Sequence, residues 1–204
     1  MPDSPLIQSN FIQQNDRMSQ ATLGPGSLLD ADFIRSQFKQ LGKNVKIFTG
    51  ARIDNPEAVS VGDHTQIDEG VFLFAGKGIA IGRHVHLAFT SSISGGGECV
   101  IGDYASIGAG VRLITGTENI TEGLTNPTVS KSCRKTHRST IEVGDHAVIY
   151  TNSIIFPGVK IGEGAVVSAG SIVHHDLKPW TIYGGMPLTA LKRRDNKQVI
   201  TAAQ

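Results

Sequence analysis

From residue 41 to residue 177 the apolar positions return on a fixed period. Leu41-Gly42, Val61-Gly62, Ile81-Gly82 and Ile101-Gly102 are spaced by 20 residues, and Val143-Gly144 and Ile161-Gly162 by 18. Each glycine is followed by a polar or charged residue: Lys43, Asp63, Arg83, Asp103, Asp145 and Glu163. Two places before the aliphatic residue there is usually another apolar side chain, as at Val59, Ile79, Cys99, Ile141 and Val159. Inside each period runs a six-residue beat, with large aliphatics at the first place and small or β-branched residues at the fifth (Ile101, Ala105, Ile107, Val111, Leu113; Ile161, Ala165, Val167, Ser171, Val173). Three such hexads make one triangular coil of a parallel β-helix. The first residue points inward from a short strand, the fifth fills the narrow corner, and glycine at the second place suits a corner where a Cβ clashes or φ is positive. Coils of this kind stack their aliphatics into one continuous core. The 3- and 4-residue spacing of an amphipathic helix is absent, and six matched aliphatic-Gly pairs argue against a sandwich rich in Gly turns.

The ends and one interruption depart from the beat. Residues 1–26 are polar and close on Gly24-Pro25-Gly26, which reads as a loosely packed arm. A helix is expected over 28–40, capped by Ser27, with Leu29, Phe33, Ile34 and Phe38 on one face and Gly42 just after it. It would cover the open end of the coil stack, where core and unpaired strand edges are otherwise exposed. The first three coils carry two extra residues after the third hexad, absorbed at a corner. After Thr115-Gly116-Thr117-Glu118 the repeat is lost until Thr140, and the stretch 119–140 has neither a period of 2 nor one of 3.6. So long a loop on a regular body is a functional candidate. Beyond Val173 the beat breaks again, and the last ten residues are polar and expected to fray. The expected organisation is an arm and capping helix (1–40), a β-helix (41–178) with the loop 119–140 extruded from it, and a C-terminal cap and tail (179–204).

Composition narrows the classes. The 204 residues suit one domain, and a net charge of +1 gives no pull toward nucleic acid or an anionic membrane. The 24 glycines fit a thin coil. Cys99 falls on an inward place and Cys133 in the loop; together they make neither a disulfide framework nor a zinc spacing. No basic-then-apolar leader opens the chain, and no stretch approaches the roughly 20 apolar residues of a membrane span. A soluble cytoplasmic protein is expected.

With this repeat the chain resembles the hexapeptide-repeat acyltransferases. The resemblance covers the coil region and implies an all-β fold, a left-handed parallel β-helix with a short N-terminal capping helix and an extruded loop. The handedness comes from the family, against the usual right-handed crossover. It also implies acetyl transfer from acetyl-coenzyme A without a metal, and a homotrimer with sites between subunits, each walled by a neighbour's loop. Arg52-Ile-Asp-Asn-Pro, Gln66-Ile-Asp-Glu-Gly, His84-Val-His-Leu-Ala, Leu124-Thr-Asn-Pro-Thr and Lys178-Pro-Trp-Thr-Ile-Tyr look closest to sugar acetyltransferases of bacterial surface-polysaccharide biosynthesis. Ile182-Tyr-Gly-Gly-Met-Pro187 resembles the family's terminal segment, but Leu188-Thr189 stand where Ala-Lys is usual. The first expectation for the acceptor is a sugar or glycan hydroxyl. The alternatives are the amine of a nucleotide-linked amino sugar, or a non-catalytic β-helix that binds no acetyl-coenzyme A. The lack of a nucleotide-binding domain ahead of the coils slightly favours a bare acceptor.

Acetyl transfer needs a base near neutrality, a donor for the developing oxyanion and a groove for the donor's long arm. Ala169 and Gly170, small residues on a late coil, are candidates for close approach of that arm. Lys192, Arg193 and Arg194 are candidates for its phosphates, and Trp180 either packs beside it or caps the last coil. Of seven histidines, His64, His84 and His146 take the fourth place of a first hexad with Tyr104 between them, which predicts a surface ladder. His174 and His175 fall in the terminal turn. His86 takes the sixth place, beside a corner, in a His-x-x-Ala setting that resembles the family's, and is the first candidate for the base. His137, in the loop, is the second. Galactoside and maltose acetyltransferases carry their histidine earlier, just after a Thr-Gly step, where this chain has Thr117-Glu118. Glu118 and Asp68 are candidates to orient the base or replace it, and Asp68 and Asn126 to meet the acceptor. A zinc enzyme of the γ-carbonic anhydrase type needs a pair of histidines five apart, which this chain lacks.

Overall fold

The computed structural model describes residues 27–203, so the arm 1–26 lies outside the described residues. The chain winds as a left-handed parallel β-helix whose three faces are three parallel sheets. The first face is built from Gln40–Leu41, Val59–Val61, Gly78–Ile81, Glu98–Ile101, Ile141–Val143 and Lys160–Ile161, in that order. The second runs Lys46–Ile47, Gln66–Ile67, His86–Leu87, Ser106–Ile107, Val148–Ile149, Val166–Val167 and Thr181–Gly184, closed by the antiparallel strand Thr189–Arg193. The third runs from Arg52–Asp54 through Phe72–Phe74, Ser92–Ser94, Arg112–Ile114 and Ile154–Ile155 to Ile172–Val173.

The hexad explains the packing. First-place residues of the second face (Ile47, Ile67, Leu87, Ile107, Ile149, Val167) lie one above another and are all buried, as are Leu73, Ile93, Leu113, Ile155 and Val173 of the third. Burying each such side chain is worth about 1.5–3 kcal/mol. Fifth-place Val85, Ala105, Ala147 and Ala165 are buried in the corner, and Thr65 joins them because its hydroxyl donates to the Gly82 carbonyl and accepts from the Val85 amide.

The second-place glycines are required by proximity. A Cβ at Gly42, Gly62, Gly82, Gly102, Gly144 or Gly162 would stand 2.5–2.8 Å from a backbone nitrogen of the next coil. Positive φ falls at the fourth place instead, on Asn44, His64, His84, Tyr104 and His146, all between 55° and 58°. Left-handed backbone is costly for a bulky side chain. Here it aims the rings at one another: His64–His84, His84–Tyr104 and Tyr104–His146 stack at 4.8, 4.9 and 5.2 Å, and Trp180 ends the column against His146. The expected ladder is thus present along the first corner. Aspartates at the third place tie coils together, the Asp63, Asp103 and Asp145 carboxylates accepting from the amides of Lys43, Arg83 and Asp103.

Three expectations are corrected. The N-terminal helix spans only Ala31–Arg35, with Asp30 rather than Ser27 accepting from its Phe33 amide. Leu28 is drawn into a bridge with Phe48, and Gln40–Leu41 into the first face, so neither end is free to be helical. Ile34 enters the core while Phe33 is exposed. The loop contains regular structure, an antiparallel pair of Gly116–Glu118 with Thr136–Arg138, too short for periodicity to reveal. Residues near the C-terminus form the helix Lys197–Ala202, held by the Tyr104 hydroxyl donating to the Ala203 carbonyl.

Candidate active site

The outward side chains of the second face follow from the same hexad. Sixth-place residues Gln66, His86 and Ser106 sit side by side on adjacent strands. Asp68 lies just past Gln66, where the second face turns toward the third. His86 reaches across one coil, and its Nε2 lies 2.8 Å from Asp68 Oδ2. Gln66 Nε2 donates to the other oxygen, Asp68 Oδ1, at 2.8 Å. The His86 side chain is 45% exposed and that of Asp68 23%, so an imidazole backed by a carboxylate stands open to solvent on a rigid strand. This is the arrangement of a general base with its orienting partner. Among the described residues nothing bonds to His86 Nδ1.

A second polar cluster lies on the hairpin, which leaves the corner between the third and first faces. His137 pairs in register with Thr117, and its Nε2 lies 2.8 Å from Ser139 Oγ. Glu118 is bonded to Arg134, and that bond, before any other cause, holds its carboxyl below the usual range, so it is a poor proton acceptor. Asn126 accepts from the amide and hydroxyl of Thr128, shaping the exposed turn. Within one chain the hairpin and the His86–Asp68 pair stand at different corners. The structure therefore brings Asp68 to His86 and does not bring His137, Glu118 or Asn126 to them.

The late coils carry the remaining candidates. Ala169 and Gly170 are exposed, and a Cβ built on Gly170 meets nothing within 4 Å, so open space adjoins it. Trp180 is buried, its ring lying over Gly164 at the end of the ring column. Lys192 and Arg193 are exposed on the closing strand. Arg194 is committed elsewhere: it donates to the carbonyls of His146 and Gly164 and lies over the Trp180 ring. His174 and His175 are exposed in the terminal turn, edge to face. A shallow pocket lined by Tyr104, His146, Val148, Arg194 and the last helix opens on the second face, its Val148 two strands from His86. Burial pushes the Cys99 thiol up to about 12 and makes it a core residue. Among the described residues no group of three or more His, Cys, Asp and Glu is placed to hold a metal.

Sequence reasoning assigned no role to three partners: Gln66, Arg134 and Ser139. Gln66 was detectable, because it holds in its own coil the place that His86 holds in the next. The other two depend on a hairpin register that carries no periodic signal.

Comparison with known proteins gives the class of this coil of hexads. No family model matches the chain. It is 34% identical over 162 residues to a dTDP-4-amino-4,6-dideoxy-D-glucose acyltransferase of Escherichia coli, a match covering 78% of this chain and 84% of the relative. The chain therefore belongs to the hexapeptide-repeat acyltransferases. The structure of AntD, an N-acyltransferase from Bacillus cereus in complex with dTDP and 3-hydroxybutyryl-CoA, superposes with a TM-score of 0.81 at 30% identity, covering 87% of this chain and 95% of that one. A galactoside O-acetyltransferase of Escherichia coli K12 is 28% identical over 141 residues, 68% of this chain and 65% of its own length. The protein is an acyltransferase, which sets aside the non-catalytic reading.

Proposed function

We propose that this protein transfers an acetyl group from acetyl-coenzyme A to the amino group of a nucleotide-linked amino sugar, with His86 as general base and Asp68 behind it. The observation that carries the proposal is the His86–Asp68 pair, open on one side and fixed on the other. The first expectation, a sugar hydroxyl, gives way to its alternative. The relative matched over most of the chain and AntD are both amino-sugar or N-acyl enzymes by name, whereas the galactoside enzyme matches less well. In this reading the reaction belongs to the building of surface polysaccharides, and the protein works in the cytoplasm.

In this reading the amine attacks the thioester carbonyl, and its proton passes to His86. The C–S bond then breaks, the amide forms, and the coenzyme A sulfur takes the proton back from His86. Gly170 and Ala169 border the donor's arm, Lys192 and Arg193 meet its phosphates, and Trp180 stiffens the coil beneath. The chain works as a homotrimer. The hairpin's His137, Glu118 and Asn126 stand at another corner from His86, so they serve a neighbour's site rather than their own. The net basic hairpin, with Lys131, Arg134, Lys135 and Arg138, suits an acceptor carrying a pyrophosphate.

The test is free-thiol release from acetyl-coenzyme A against a panel of dTDP-linked amino sugars and plain sugars, with His86→Ala beside the parent. Release with an amino-sugar nucleotide, lost in His86→Ala, is the expected result. Release with plain sugars alone would restore the hydroxyl reading. No release, with no acetyl-coenzyme A binding by calorimetry, would overturn the proposal.

A further inference from the structure

We infer that Gln66 is a positioning residue of this site: by bonding one oxygen of Asp68 it fixes the other on His86 and so decides which ring nitrogen takes the proton. The inference rests on His86 being the base. Gln66 and His86 are register partners on the second face, and Asp68 lies two residues past Gln66. The three side chains form one line, Gln66 Nε2 to Asp68 Oδ1 and Asp68 Oδ2 to His86 Nε2, both at 2.8 Å. An ionised carboxylate only accepts. Gln66 must then present its NH2 rather than its oxygen, and His86 must carry its proton on Nε2. In a neutral imidazole that leaves Nδ1 as the acceptor, and Nδ1 is the atom without a partner among the described residues. A carboxylate that selects the histidine tautomer in this way governs whether the base works at all. Gln66 adds the second tether: without it Asp68 has one bonded oxygen and turns with its own side chain.

The line has a direction, donor to acceptor to donor, and the direction can be reversed in part. Asp68→Asn puts an amide opposite the Gln66 amide. Two amides can pair either way round, so half the arrangements aim an NH2 at His86 Nε2 and move the ring proton to Nδ1, blocking the base. Adding Gln66→Glu removes the ambiguity. The introduced carboxylate only accepts, so it holds the asparagine NH2 and turns the asparagine oxygen to His86. The Gln66→Glu/Asp68→Asn pair should therefore be more active than Asp68→Asn alone. Gln66→Glu alone should be worse than the parent, because two carboxylates would then face each other.

Steady-state kinetics for acetyl-coenzyme A and a dTDP-linked amino sugar are paired with ¹⁵N NMR of the histidine ring in the resting protein, thermal melting serving as the folding control. The parent should show the Nε2-protonated tautomer for His86. Gln66→Leu should lose about 10- to 100-fold in kcat with an unchanged KM for the donor, as expected of a misplaced reactive group, and its His86 signal should become a tautomer mixture. Rescue of Asp68→Asn by Gln66→Glu completes the case. Parent kcat and parent tautomer in Gln66→Leu, or a double variant no more active than Asp68→Asn, would overturn the inference. A parent that turns over no acceptor would instead sink the functional reading, while the ring spectra still decide the role of Gln66.

Discussion

The coiled body and the hairpin that leaves it are built on opposite terms. In the body many polar side chains are held by a residue one coil away. The aspartates hold amides of the neighbouring coil, Thr65 sits between Gly82 and Val85, and His86 meets Asp68. In the hairpin most bonds are internal, such as Glu118 to Arg134 and His137 to Ser139, Arg138 reaches back to the Gly95 carbonyl, and most side chains face solvent. The body offers groups that cannot move, which is what a base must be. The hairpin offers groups that are mostly exposed. Under the proposed function the body supplies the base and the hairpin meets the acceptor.

The widest separation between the two should appear in catalysis. His86→Ala is expected to lower kcat by about 10²- to 10⁴-fold. His137→Ala should mainly raise the acceptor KM and leave kcat within a few-fold of the parent; initial-rate kinetics on both variants checks this. Equal losses of kcat would erase the distinction. Stability should divide the same way. Ile107→Ala removes a fully buried stack member and should cost about 2–5 kcal/mol in denaturant melts. Ile120→Ala, on the exposed hairpin, should stay within about 0.5 kcal/mol. The two cysteines give a third contrast. Cys133 is exposed and should react with a thiol reagent in the native protein. Cys99, buried and with its thiol pushed up to about 12, should react only after denaturation. The smallest effect is on pH. Because Arg134 holds the Glu118 carboxyl below its ordinary value of 4.5, the bond's contribution is complete above that value. It is lost as pH falls through the lowered one. Limited proteolysis of the hairpin should therefore quicken as pH falls below that ordinary value, with the body unchanged, and Glu118→Gln should remove the pH dependence.

What could be read beforehand follows the same division. Residues whose environment is set by the repeat were readable: the inward aliphatics, the His64-His84-Tyr104-His146 column, and the corner position of His86. Their neighbours are themselves one period away, so spacing alone places them together. The Asp68–His86 contact was half readable, since both residues were candidates but their side-chain directions were not. The glycines were assigned correctly to a tight place, yet the positive φ expected as one option there belongs to the bulky fourth-place residues. Stacking between coils offsets that strain, and a single hexad cannot display it. The short helix at Ala31–Arg35 and the hairpin pairing lay beyond reach because competing tertiary bridges, from Leu28 to Phe48 and from Gly116 to Arg138, decide them. Propensity yields to such bridges.

The corner between the third and first faces has one more consequence. It absorbs the surplus of the 20-residue coils and also the coil that takes 42 residues to return, while the strands on both sides stay in register. The other two corners hold the ring column and the Asp68 turn and admit no such surplus. Among the described residues, length therefore varies between coils at this vertex. A tag or a foreign recognition loop spliced into the exposed turn of the native hairpin should leave the body's thermal melt unchanged. The same insertion at either other vertex should lower that melt, because it interrupts the ring column or the Asp68 turn.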